Sequence, residues 1–338
     1  MNIVGIGTVN RCGRGLEHLR EALAGGESDR DAERLSSDVR EGLKSAGLSK
    51  SARRADRFSR MTLLAAHDAV VDSQIPRDEM AASVGIILAT GLGPHVSTFG
   101  FLDGILDFGE KAASPTVFSH SVHNAATSYV ASMLGSNGAS ITVTRFALSW
   151  HHALLHASAW LDAGRSTYVL VGATEESGAV MEAVLRARAG AEGSAANPAT
   201  SAADGLGEGS VFFLLTRGDA PRTYAALDPV FRGEARPGAS DLTITSPDLL
   251  GSDSPPLPAD ALPEAEALGH TALFGRMMTG CAFSCLVGAL VIRDQTVYAA
   301  LRSGRPGSNR TRPAAVDRVW CIQHDRTAAP SVVCLRAP

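Results

Sequence analysis

The fold turns on residues 138–150, GASITVTRFALSW. Ser140 to Thr144 is dominated by β-branched residues over a length that suits a strand, and residues 149–163 follow as a helix, so the residues between form a tight elbow. On the N-terminal side, residues 83–90, SVGIILAT, form another apolar run that is short for a helix and ends in the turn Gly91-Leu92-Gly93; they predict a buried strand. On the C-terminal side, Tyr168 to Ala173, YVLVGA, predicts a third. Helices are expected at 95–108 and from near Asn124, with a loop through Pro115. Strands separated by helices require crossover connections, and the fold class is therefore layered α/β.

The alternation extends to both sides. Residues 2–9 predict a strand and Leu16 to Ala24 a helix; Gly25-Gly26 and the polar run ESDRDAER (27–34) predict a surface loop. Phe58, Met61, Leu64, Ala65 and Ala69 recur at three- and four-residue steps and predict a helix over 55–73. Residues 186–207, rich in Ala, Gly and Ser, predict a loop, and Ser210 to Thr216 a strand. Residues 220–263 are proline-rich and weakly periodic, hence loop with one or two strands. TGCAFSCLVGALVI (279–292) predicts a helix buried on most of its surface. After the linker 303–313, Arg318 to Gln323 and Ser331 to Leu335 predict a closing pair of strands. We divide the chain into 1–218, with the elbow at 144–149, and 219–338, which is shorter and loop-rich over 220–268.

Composition removes several function classes. With 31 Lys plus Arg against 35 Asp plus Glu, the chain lacks the basic excess that a nucleic-acid partner needs. MNIVGIGTVN enters a strand without the parts of a secretory signal, and no run approaches the ~18 apolar residues of a membrane span, so a cytoplasmic location is expected. Cys12, Cys281, Cys285, Cys321 and Cys334 include no Cys-x-x-Cys pair. Cys281 and Cys285 share a helical face, as do His152 and His156 beside His151, but neither group has further ligands at suitable spacing, and no metal is expected. Gly5-x-Gly7-x-x-Asn10 lacks the third glycine of a dinucleotide turn, so no cofactor is expected either.

Several segments, in order, resemble the β-ketoacyl synthases of the thiolase fold. Met1 to Gly26 is similar to that family's opening strand, turn and helix, Asp56-Arg57-Phe58-Ser59 to its "DRFS" helix start, and SVGIILATGLG to the next strand and glycine turn. Ser121-Val122-His123-Asn124-Ala125-Ala126 resembles the segment leading into a helix beneath the active site, and Gly138 to Thr144 the strand that delivers the nucleophile. Gly172-Ala173-Thr174-Glu175, Asp204-Gly205-Leu206-Gly207-Glu208-Gly209 and Thr279 to Gln295 resemble later family phrases. The resemblance implies a thiolase-like fold with two similar halves in five αβαβα layers, and a dimer whose central sheets join across the twofold.

A condensing enzyme holds the growing acyl chain as a thioester and so needs a thiolate at a helix N-terminus after a strand. Counting from Gly138, the resemblance puts Ala147 at the family's cysteine, and a methyl group is no nucleophile. The family's first histidine lies in a stretch for which residues 218–268 offer no histidine, and its second falls at Gly275. The phrase FGRMMTGCAF resembles instead the wording of chain-length factors. Gln323-His324-Asp325-Arg326-Thr327 stands where synthases carry a glycine-rich gate.

The implied role is a non-catalytic, chain-length-factor-type subunit of a type II polyketide synthase. Such a subunit heterodimerises with an active ketosynthase, meets an acyl carrier protein transiently, and shapes an interface tunnel for the polyketide acyl chain. The tunnel wall is expected from His95, Thr98, Leu102 and Ile105, one face by helical spacing, with Phe99, Phe101 and Leu106 beside them and Phe118 at the end. Aromatic-type chain-length factors carry Gln at the lost cysteine, so Ala147 fits a reducing, polyene-forming system. Two alternatives stay open: an active acyltransferase using Ser149 with His152 or His270, and a stand-alone thiolase-fold binding or scaffold protein.

Overall fold

The computed structural model of the chain describes residues 1–25, 32–81, 83–191, 205–230, 241–246, 249, 266–303, 311–325 and 328–338. The apolar runs form the strands the sequence predicts. Val84–Thr90 lies between Tyr168–Glu175 and Ser140–Thr144, parallel to both. Tyr168–Glu175 pairs antiparallel with Gly209–Thr216, which pairs antiparallel with Asn2–Asn10. Ser140–Thr144 ends the sheet, with one edge unpaired among the described residues.

Ala225–Val230 joins this group to the later strands by pairing with both Asn2–Asn10 and Ala328–Arg336. Arg318–Asp325, Leu242–Ser246, Glu266–Gly269 and Arg302–Ser303 then follow in order. Among the described residues the result is one sheet of 12 strands with mixed parallel and antiparallel pairing, including the short strand Gly13–Arg14 beside Asn2–Asn10.

Two buried helices fill the space between the earlier and later strands. Ser149–Asp162 packs on Val84–Thr90 and Tyr168–Glu175, and Gly280–Asp294 on Arg318–Asp325 and Leu242–Ser246. Every residue from Gly280 to Ile292 is buried, as its apolar composition requires. On the far side of the early strands, Arg57–Ser73 and Ala125–Leu134 form an outer layer. Asp56 caps the first of these by accepting the Ser59 N–H at 2.9 Å. That helix lies so close to the first strand that a Cβ on Gly7 would stand 2.1 Å from the Ala65 carbonyl oxygen. The described elements thus stack helix, sheet, helix, sheet, and the outer face of the last sheet region carries a separate cluster of Trp320, Ile322, Val332 and Cys334.

Three local expectations change. The polar run at 27–34 gives way to a helix, Ala32–Ser45, because Leu35, Val39 and Leu43 recur every fourth residue and are buried; Gly26 and residues 27–31 of that run lie outside the described residues. The expected loop through Pro115 is a helix, Pro115–Ser121, with proline in its first turn and the Ser114 hydroxyl accepting the Val117 N–H. The expected loop 186–207 begins late, since a helix spans Ala179–Ala191; residues 192–204 lie outside the described residues. The loop over 220–263 contains the strands Ala225–Val230 and Leu242–Ser246, and most of the rest lies outside the described residues. Among the described residues, no helix is long and apolar enough to cross a membrane.

Candidate functional site

At the end of the edge strand the chain turns sharply into the buried helix. Phe146 adopts φ +48°, a left-handed conformation that costs a side-chain-bearing residue roughly 1–2 kcal/mol. Ser149 holds the turn in place. Its Oγ accepts the Arg145 N–H at 2.7 Å and lies 2.8 Å from the carbonyl oxygens of Thr90 and Phe146, donating its one proton to one of them. Ser149 is fully buried. This hydroxyl is a clamp, and its hydrogen bonds run to backbone rather than to His152 or His270.

Ala147 is 5 % exposed and faces the site with a methyl group. The strand Arg318–Asp325 packs against the same turn, and buried Gln323 of that strand accepts the Cys281 N–H at 3.0 Å. One helical turn past Ala147, His151 Nε2 lies 3.9 Å from Cys281 Sγ. The thiol is fully buried at the start of Gly280–Asp294, and burial pushes it well above the ordinary cysteine range, so it is held as a neutral thiol rather than a nucleophilic thiolate. Cys285 receives the Trp150 indole N–H at 3.4 Å.

His270 is fully buried at the start of Thr271–Phe274, and its partner Ser246 is tied to the elbow region by Gln323, whose Nε2 donates to the Ser246 carbonyl oxygen at 3.4 Å. The His270 Nε2 is 3.0 Å from Ser246 Oγ and 2.8 Å from Ser284 Oγ, and the two hydroxyls are 2.8 Å apart. Burial pushes its pKa down to about 4, so the imidazole is neutral at physiological pH. Gly275 has φ +77°, and a Cβ there would stand 2.7 Å from Gly207 Cα. Gly275 lets two chain segments cross and leaves no room for a side chain.

The chain's matches to known proteins agree with this architecture. The β-ketoacyl synthase N-terminal domain profile matches residues 5–220. The chain belongs to the β-ketoacyl synthase family. No curated protein matches it in sequence. Many solved structures share its fold, among them the following three. The ishigamide ketosynthase/chain length factor matches with a TM-score of 0.72 at 15 % identity, over 100 % of this chain and 98 % of that one. AntDE:AntF, described as a type II PKS acyl-carrier protein in complex with its ketosynthase bound to the hexaketide, gives 0.72 at 14 % identity, over 100 % and 99 %. A β-ketoacyl synthase from Burkholderia phymatum STM815 gives 0.71 at 13 % identity, over 100 % and 99 %.

On this β-ketoacyl synthase scaffold the candidate wall residues fall on one outer helix, His95–Phe108, and on the neighbouring Pro115–Ser121. His95 is buried, and Thr98, Phe99, Phe101 and Ile105 are half-buried. Leu102 is 46 % exposed, Leu106 81 % and Phe118 54 %. The Phe101 and Phe118 rings lie 5.4 Å apart. Phe108 and Phe146 are likewise exposed. This is a run of large apolar side chains on the surface of a single chain, which soluble monomers seldom present.

The sequence reading missed three features. The first is the His270, Ser246 and Ser284 network, whose members are too far apart in sequence to be linked by spacing. The second is a buried carboxylate pair at the root of the outer helix. Glu175 Oε1 accepts the Gly91 N–H at 2.7 Å and the Thr279 hydroxyl at 3.0 Å, and Glu176 Oε1 accepts the Val96 N–H at 2.9 Å. Burial pushes their pKa values up to about 7 and about 8, respectively. Two consecutive glutamates directly after an apolar strand were the available signal. The third is a hollow of about 480 Å³ lined by Lys50, Ser51, Arg53, Arg54 and Tyr129. Among the described residues, no group of three or more His, Cys, Asp or Glu side chains could hold a metal ion.

Proposed function

We propose that this chain is a non-catalytic, chain-length-factor-type subunit that pairs with an active ketosynthase in a type II polyketide synthase and shapes the tunnel for the growing acyl chain. The observation that carries the reading is Ala147 at the elbow. Covalent capture of the acyl chain needs a sulfur, to form a thioester, or an activated hydroxyl, to form an ester, and the nearby candidates are committed elsewhere: Ser149 clamps the turn and Cys281 is a sealed neutral thiol. Residues 1–218 and 219–338 are read as the two halves of the fold, and Gly275 as the lost second-histidine position.

The exposed apolar face supports the partner half of the proposal. Leu102, Leu106 and Phe118 gain by burial at ~25 cal/mol per Å², and a stable complex of ordinary size buries ~1,200–2,000 Å² in total. The unpaired edge of Ser140–Thr144 offers a sheet-to-sheet junction beside it. The basic hollow at Lys50, Arg53 and Arg54 suits a transient anionic partner, the role we assign to an acyl carrier protein. Ala147 in place of glutamine favours a reducing, polyene-forming assembly over an aromatic one.

The test is coexpression with active ketosynthase subunits from the same genome. The expected result is a copurifying heterodimer whose partner subunit alone carries an acyl adduct by intact mass. A covalent acyl group on this chain would sink the proposal. Leu102→Ala in the heterodimer is expected to lengthen the product, because removing a wall side chain relieves roughly 1–3 kcal/mol of strain against the next two-carbon unit. Unchanged product length removes Leu102 from the wall.

A further inference from the structure

The outer helix carries a second stripe beside its apolar one. Asp103 and Asp107 stand one turn apart, next in sequence to Leu102 and Leu106, and Glu110 follows in the short turn Glu110–Ala112. All three carboxylates are exposed, and none has an ion pair or hydrogen bond through its side chain among the described residues. The one lysine in the segment, Lys111, leaves His95–Ser121 net negative with its histidines neutral. The apolar face is therefore edged by uncompensated negative charge.

The edge strand beside it has no such bias. Ser140–Thr144 is uncharged, and nothing in its side chains prevents it from pairing with an identical strand. A closed twofold dimer of this chain is isologous, so an interface through this patch would take in the acidic segments of both copies. Covering the apolar face would then bring like charges together and strip water from carboxylates that outnumber the nearby cations, Lys111 and exposed Arg145, in each copy. A different subunit with lysine or arginine around its apolar patch covers the same face and satisfies the rim.

Accordingly, and resting on the reading of this face as the partner surface, we propose that Asp103, Asp107 and Glu110 act as a selectivity rim. The rim disfavours a second copy of this chain and favours a partner subunit whose apolar face is edged with basic residues. The two associations must then respond oppositely to salt. Screening weakens repulsion between copies and weakens attraction to a basic partner.

The test compares the purified wild-type chain with the isosteric triple variant Asp103→Asn/Asp107→Asn/Glu110→Gln by sedimentation equilibrium at low and high salt. Neutralising the rim is expected to tighten self-association roughly tenfold at low salt, with the gap closing at high salt, since each exposed charge contact contributes a few-fold. In the heterodimer, Asp103→Lys/Asp107→Lys is expected to weaken binding to the coexpressed ketosynthase about tenfold. Equal self-association of wild type and triple variant at low salt overturns the rim, whether or not a ketosynthase partner is found. Failure of the wild-type chain to bind the ketosynthase instead strikes the proposed function and leaves the self-association comparison to decide the rim. Unchanged thermal midpoints in the variants exclude misfolding as the cause.

Discussion

Two neighbouring regions of this molecule are finished to different degrees. At the elbow, Phe146 is exposed, but Ala147 is 5 % exposed and the contacts behind it are closed: Ser149 clamps the turn, Gln323 caps Cys281, and Trp150 reaches Cys285. On the outer helix nearby, Leu106 is 81 % exposed and Phe108 76 %. The elbow keeps a left-handed turn at Phe146 around the Ala147 methyl group, and the outer helix leaves uncovered a surface that costs free energy in water. On the proposed function, a partner subunit covers that surface and adds its binding free energy to the stability of the fold.

The contrast predicts that core and face substitutions act on different observables. The largest effect on stability is expected at Trp150, which is fully buried, tilted against Phe213 at 5.5 Å and hydrogen-bonded to Cys285. Trp150→Ala should remove about 3–5 kcal/mol, read from denaturant midpoints. A loss near zero would mean that the elbow helix is not fixed by the core. Next, Leu106→Ser with Phe118→Ser should leave the isolated chain within ~0.5 kcal/mol of wild type but cost about 2 kcal/mol or more in partner binding by calorimetry. Equal losses in both measurements would erase the distinction between the two regions.

The root of the outer helix gives a pH-dependent prediction. Glu176 titrates near 4.5 when unfolded and at about 8 when folded, because burial penalises its charge. The folded protein therefore retains a proton between those values, and the associated stability, complete below pH 4.5, is lost as pH rises through 8. Glu176→Gln keeps an acceptor for the Val96 N–H and cannot ionise. It should stabilise the protein relative to wild type above pH 8, on the order of 2 kcal/mol, with the gain vanishing toward pH 4.5. A gain that is flat with pH would assign the effect to packing. The smallest change is expected from Ala147→Cys, which adds one sulfur to a tight site and should cost about 1 kcal/mol. It should not restore condensation, since His270 is bound to Ser246 and Ser284. Product formation by that variant would show that only the sulfur was missing.

Much of the fold is legible because local pattern and tertiary role coincide. The β-branched and apolar runs at 84–90, 140–144, 168–175 and 209–216 are strands, and the unbroken apolar run before Asp294 is the central helix. Ala32–Ser45 was obscured because its polar face dominates the composition while only Leu35, Val39 and Leu43 reach the core. The candidate wall was legible as a stripe on His95–Phe108, yet its exposure was not, since a helical stripe reads the same whether it faces a core or a partner.

The order of residues alone established an α/β layered chain with a methyl group at the elbow, because periodicity and side-chain chemistry are local properties. Three-dimensional packing was needed to show that Ser149 is a clamp, that Cys281 meets His151, and that His270 belongs to two serines. Each of these joins groups made neighbours only by the sheet and its two central helices, and burial, which sets their protonation, exists only once those layers have closed.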